Sequence, residues 1–376
     1  MFCARVLPRS LFLTFLVPLL GSTACSSGNT PSPAASDDGG PATSSGDDSG
    51  SPSLGHQATL LASFSSSMYS VYSFQIDATN AYALVDNDEG NDSTTVMKVP
   101  LSGGAPVTLA NDPQYATALA VSPSTLYWVD PSGPQDEVDA SSNTTGLVMS
   151  VPLGGGNAVP VATDQAFPSN VAVDSSGVYW VNQTVCNSFP CQATVGTVMM
   201  LPTGSTTPVT LASVPAQPAA LALDATNVYW GTNDGRVMMV PKSATGGGTP
   251  TTLAYYETNV GSLVVAGSDL YWTTGTGDIM RTPIAGGATT AILVGSSEVG
   301  SLVTDGTSLY WITYDQQFSP TGTTEMTAID RMALTDTDTT PVTLWTGSDS
   351  PDTLQVDATS VYFTTSSGAL WKLSPK

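Results

Sequence analysis

The stretch Leu221 to Trp230, LALDATNVYW, returns in close copies along the chain and restricts the fold more than any other feature. The copies are QIDATNAYAL (75–84), AVSPSTLYWV (120–129), AVDSSGVYWV (172–181), VVAGSDLYWT (264–273), VTDGTSLYWI (303–312) and QVDATSVYFT (355–364). Their aligned tyrosines, Tyr82, Tyr127, Tyr179, Tyr229, Tyr271, Tyr310 and Tyr362, are 39 to 52 residues apart. A period of that length belongs to propeller blades or another repeat array, in which one supersecondary unit is stacked against its neighbours.

Each repeat carries four strand signals. A short apolar run such as Leu221-Ala222-Leu223 ends in an Asp and a tight turn of small residues, and the Tyr-Trp strand follows. In Val178-Tyr179-Trp180-Val181 both faces are apolar, so this strand is expected to lie sandwiched between blades. The third strand carries a recurring Met (VMKVP 96–100, VMSVP 148–152, VMMLP 198–202, VMMVP 237–241, IMRTP 279–283, then RMALT 331–335 and LWKLS 370–374), which reads as core packing. A proline ends five of these strands because it cannot donate to the ladder. A fourth strand follows, as in PVTLA at 106–110 and 208–212.

The seventh repeat stops after its third strand, and Ala58-Thr59-Leu60-Leu61-Ala62 matches the missing fourth. The expectation is an all-β, seven-bladed β-propeller of four-stranded antiparallel blades, closed by the N-terminal strand completing the last blade. It spans residues 57–376 as one domain. The repeats resemble YWTD- and NHL-type propellers, and more closely the VDATNVYW-type repeats of exported bacterial lipoproteins. They depart from the YWTD pattern in that only Tyr127-Trp128-Val129-Asp130 keeps the final Asp. YWTD receptor propellers are six-bladed, so the resemblance implies fold and carries no ligand specificity.

Residues 1–24 read as a signal peptide: Arg5 and Arg9 precede the apolar run Leu11 to Leu20, and Ser22-Thr23-Ala24 offers small residues for cleavage. Cys25 with Ser26-Ser27-Gly28 resembles the processed end of a bacterial lipoprotein, which implies lipidation at Cys25, although Ser22 stands where that family usually has Leu. Residues 26–56 contain almost only Ser, Gly, Pro, Ala, Asp, Asn and Thr and cannot bury enough apolar surface to fold. Together these features describe a lipid-anchored, disordered tether at 25–56, and a location at the outer membrane or surface of a Gram-negative bacterium. Cys186 and Cys191, close together in one loop, are expected to form a disulfide in such an oxidising compartment.

Lys plus Arg number 9 against 31 Asp plus Glu, a formal net charge of −22, which disfavours nucleic acid as a partner. The connection between strands two and three varies most. It is long in blades one (86–95), two (130–146), three (182–196) and six (314–328), so blades one to three form a raised rim that is the candidate interaction surface. Two rim loops are acidic, with Asp86, Asp88, Glu89 and Asp92 in one and Asp136, Glu137 and Asp139 in the other. Asp86, Asp88 and Asp92 alternate around a glycine in the manner of a calcium loop, but the spacing departs from the EF-hand pattern, and a solvated turn is the preferred reading. No cofactor is otherwise expected.

The repeated Asp77, Asp174, Asp224, Asp305 and Asp357 stand directly before turn residues and are read as closing Asx turns, with Ser122 making the same bond in blade two. The single histidine, His56, lies at the tether end. The expectation is therefore a monomeric, non-enzymatic module for a protein or glycan of the envelope, which meets the membrane only through its lipid. The alternative is a propeller lyase or hydrolase using carboxylates or Tyr around the central channel.

Overall fold

The computed structural model describes residues 56–64, 71–87, 93–112, 116–131, 146–183, 195–255, 258–295, 297–319, 322–334 and 340–376. Cys25, Cys186, Cys191, Asp88, Glu89, Asp92, Asp136, Glu137 and Asp139 fall outside them.

The described chain contains seven four-stranded antiparallel sheets. Blade one comprises Val71–Ile76, Asn80–Asn87, Ser93–Pro100 and Val107–Asp112, and blades two to six repeat this order. In blade seven, Pro351–Val356, Val361–Thr365 and Ala369–Ser374 are completed by Gln57–Ser63, with Gln57 opposite Ser374 and Ser63 opposite Ala369. The first strand of each blade packs against the first strands of its two neighbours, and that of blade seven returns to blade one, so the ring is closed.

Burial follows the two-sided apolar pattern of the second strand. Gly177–Asn182, Asp269–Thr274 and Val361–Thr365 are buried at every position, and Trp128, Trp180, Trp230, Trp272 and Trp311 are all fully buried. The core is distributed over seven hydrophobic clusters, one at each seam between adjacent blades. Stability therefore arises from contacts between neighbours, as in any stacked repeat.

Two features of blade six differ from the expectation. Residues 314–328, read as a long loop, continue the ladder instead: Ser308–Ser319 pairs with Gly322–Ala333 out to Ser319 opposite Gly322. The segment carries four Thr with Tyr314 and Phe318, residues that suit a pleated ribbon, so the hairpin extends. The third strand pairs as in the other blades, but its Met stands two residues further along than expected. Met97, Met149, Met199, Met238 and Met280 face the position of the conserved-pattern Trp on strand two, whereas Asp330 faces Trp311 and Met332 faces Leu309. Asp330 is accommodated there by hydroxyls, accepting from Thr313 at 2.6 Å and Thr343 at 2.7 Å.

Candidate functional site

The recurring Asp and Tyr form one unit within a blade. Asp77 Oδ1 accepts the backbone N–H groups of Thr79 and Asn80, each at 2.7 Å, while Oδ2 accepts the Tyr82 hydroxyl at 2.7 Å. Asp224 with Tyr229, Asp305 with Tyr310 and Asp357 with Tyr362 repeat the arrangement at 2.6, 3.0 and 2.8 Å. In blade two the shorter Ser122 still accepts the N–H of Thr125 at 3.1 Å but does not reach Tyr127 in this way. Burial works against ionisation of Asp224, yet the Tyr229 hydroxyl and the turn N–H groups outweigh it and hold the carboxyl at about 2. Burial and the carboxylate partner push the Tyr310 and Tyr362 hydroxyls up to about 12. Asp77, Asp224, Asp305 and Asp357 thus act as turn closures whose ionised form the turn favours.

The turn end of the blades also collects the cations. Opposite the tyrosine on strand three stand Lys98, Arg281, Arg331 and Lys372 in blades one, five, six and seven. Lys98, Arg331 and Lys372 lie over their Tyr rings at 5.7, 6.0 and 5.6 Å. Lys242 and Lys376 reach across seams, from blade four to Asp174 and from blade seven to Asp305. Among the described side chains this face holds six acids, Asp77, Asp174, Asp224, Asp269, Asp305 and Asp357, and these six cations.

The opposite face, which carries the strand-two-to-three connections, is electrostatically different. Its described acids are Asp86, Asp130, Asp164, Asp234, Asp278, Glu298, Asp315, Asp349 and Asp352. Its one described cation is Arg236, already paired with Asp234 at 3.0 Å. Among the described residues, the excess of negative charge thus lies on the loop face. Gln57, where the propeller's first strand starts, lies opposite Ser374 at the balanced face, and the His56 ring nitrogen there donates to the Pro375 carbonyl at 2.5 Å.

On the loop face, blades six and seven meet around Asp352. Tyr314 of blade six donates to the Pro351 carbonyl of blade seven at 2.9 Å, and Gly300 leaves no room for a side chain against the Tyr314 ring. Burial, reinforced by the nearby charge of Asp349, pushes the Asp352 carboxyl up to about 6. Tyr314 is raised first by burial and then by Asp352 and Glu298. Asp86 accepts the Tyr72 hydroxyl at 2.7 Å, so this predicted rim residue is tied to the inner strand of blade one. No group of three or more His, Cys, Asp or Glu able to hold a metal occurs among the described residues.

The Asp352 shift gives a signed expectation. A carboxyl whose folded pKa is raised from 3.8 to about 6 favours the protonated form, so stability falls as pH rises between those values. Asp352→Asn is expected to raise the melting temperature at pH 7 and leave it nearly unchanged at pH 3.5. Equal shifts at both pH values would show that ionisation of Asp352 is not what destabilises the seam.

Sequence reasoning missed Asp352 and the division of charge between faces. Asp352 has no counterpart in the repeat, whereas the basic residue two places before the end of strand three was visible at Lys98, Arg281 and Lys372.

No family model and no curated protein matches the sequence. Solved structures match the fold. A catalytically inactive His-to-Ala variant of virginiamycin B lyase from Staphylococcus aureus, with quinupristin, superposes with a TM-score of 0.60 at 11% identity, over 85% of this chain and 100% of that one. YCF48 from Cyanidioschyzon merolae gives 0.58 at 9% identity, over 84% and 98%, and YCF48 bound to D1 peptide gives 0.58 at 9%, over 86% and 99%. These likenesses establish a shared β-propeller architecture.

Proposed function

We propose that the protein is a lipid-anchored envelope module, held through Cys25 and the 25–56 tether, that binds a positively charged protein surface or glycan with its loop face. The observation that carries this reading is the partition of charge: the described cations other than Arg236 lie on the face where the chain enters the propeller, and the nine described acids of the loop face share that face with Arg236 alone among the described cations. The chain enters the propeller at the balanced face, so the acidic face is the one farther from that entry point. Complementary charge of this kind steers encounter and makes association salt-dependent. A structural neighbour bound to a peptide is compatible with the reading.

A photo-crosslinking amino acid at Asp234 or Asp315 on the loop face, and at Thr359 on the other face, tests it in cells carrying the full chain. A discrete crosslinked partner is expected only from the loop-face positions, and its yield is expected to fall about tenfold between 50 and 300 mM salt in spheroplasts. Crosslinks from Thr359 alone, or a yield indifferent to salt, would defeat the proposal.

Asp352 favours a second reading, a carboxylate-based enzyme, because a carboxyl near 6 can exchange a proton at neutral pH. The lyase variant whose His-to-Ala change is catalytically inactive offers no direct template, since His56 is the single histidine here and sits on the opposite face.

A further inference from the structure

The residue following strand three, or in blade seven the next one because Pro375 has no N–H, occupies an equivalent place in every blade, defined by its backbone N–H, which donates to a carbonyl of the turn between strands one and two. These residues are Leu101, Leu153, Thr203, Lys242, Ile284, Leu334 and Lys376. In six of the seven, a long side chain packs into the seam that holds the repeat tyrosine of the preceding blade. Leu101 joins the cluster containing Tyr362, Leu153 that of Tyr82, Ile284 that of Tyr229 and Leu334 that of Tyr271. Lys242 and Lys376 place their ammonium groups 5.4 Å from the ring centroids of Tyr179 and Tyr310. Each lysine also donates to the carboxylate of the preceding blade, Asp174 or Asp305, and to the carbonyl of its own blade's Asp224 or Asp357.

The seam between blades two and three breaks this rule on both sides. Thr203 is too short to cross and bonds instead to the Ser175 carbonyl at 3.0 Å. Ser122 replaces the Asp of the preceding blade. The result is an open groove of about 390 Å³, lined by Ser122, Ser124, Tyr127, Asp174, Thr203 and Ser205 together with aliphatic side chains of both blades. Tyr127 is only partly buried, whereas the other six repeat tyrosines are buried.

We infer that this groove is a binding site for a primary alkylammonium, the end of a lysine side chain or a free alkylamine, seated over Tyr127 where the other seams place a residue of the chain itself. The molecule supplies the precedent twice, since Lys242 and Lys376 show what an ammonium on a slender alkyl stem does at this position. The hydroxyls and the Asp174 carbonyl suit such a head group better than the wholly apolar tip that fills the leucine and isoleucine seams. An ammonium against an aromatic face gains further attraction from the ring quadrupole. The site lies on the face opposite the one proposed for the charged partner and stands independently of that reading.

Two substitutions borrowed from the repeat test it. The full chain, labelled with 3-fluorotyrosine and with the Tyr127 resonance assigned through Tyr127→Phe, is titrated with Nα-acetyl-lysine N-methylamide, cadaverine and 1-pentanol. Saturable shifts of the Tyr127 signal are expected with the amines and not with the alcohol. Thr203→Lys fills the groove with the chain's own ammonium and is expected to abolish binding. Ser122→Asp supplies the missing carboxylate and is expected to tighten amine binding about tenfold, the scale of one hydrogen bond to a charged group. Tighter binding of the lysine derivative identifies a peptide side chain as the ligand, and tighter binding of cadaverine a free amine. Equal saturation by 1-pentanol, absence of any amine-induced shift, or an affinity unmoved by Ser122→Asp would overturn the assignment. Should Thr203→Lys fail to fold, the Ser122→Asp comparison decides alone.

Discussion

Removal of residues 57–63 from the full chain is expected to lower the melting temperature by more than about 10 °C and to drive self-association. These seven residues are the outer strand of blade seven, paired with Ala369–Ser374 from Gln57 opposite Ser374 to Ser63 opposite Ala369. Leu61 and Ala62 are buried in the cluster shared by blades seven and one. Burial of two or three such side chains stabilises by roughly 5 kcal/mol, and in a domain of this size each kcal/mol shifts melting by about 2–4 °C. The deletion also exposes the Ala369–Ser374 edge, whose unpaired backbone groups are a template for another chain. A synthetic peptide covering residues 56–64 is expected to restore the monomer by adding back the strand. Size-exclusion chromatography with thermal melts decides the matter: a deletion protein that stays monomeric and melts unchanged would mean that the ring does not depend on this closure.

The second large effect is expected at Trp180. Its side chain is fully buried between blades two and three, in the cluster of Val129, Val148, Ala162, Val178 and Leu201, and its indole N–H donates to Gln165 Oε1 at 3.0 Å. Trp180→Ala should destabilise by about 3–5 kcal/mol through lost transfer energy and the cavity left behind. Trp180→Phe keeps most of the packing, and because Asn182 also donates to Gln165 Oε1, at 3.1 Å, that acceptor keeps a partner. Its cost should therefore be nearer about 1–2 kcal/mol. Urea midpoints for the two variants give the comparison, and near-equal losses would show that the hydrogen bond, rather than the filled volume, is the larger contribution.

Both predictions rest on the seams, and so do the differences between blades that bear on function. A repeat scaffold has a common answer to how each seam is filled, and departures from it mark positions freed for something else. Thr203 beside Ser122 is one departure, and Asp352 beside Tyr314 is another. The first opens space, whereas the second holds a carboxyl that folding has made reluctant to ionise.

The chain's own pattern determined the blade count, the four-strand plan and the closure, because a side-chain period of two combined with a turn-closing Asp leaves few ways to read VDATNVYW-like segments. It also assigned Asp77, Asp224, Asp305 and Asp357 to turns, since that bond is local, reaching two and three residues along the chain. Local pattern did not give the pairing of Asp330 with Trp311 or the extended hairpin of blade six, where partner strands decide which residues oppose each other. Nor could it show that Lys242 belongs with Asp174, 68 residues away, or that Lys376 belongs with Asp305. Ring closure makes those neighbours, and with them the balanced face, the acidic face and the unfilled seam. Charge and volume are properties of a surface, and only the tertiary arrangement decides which residues share one.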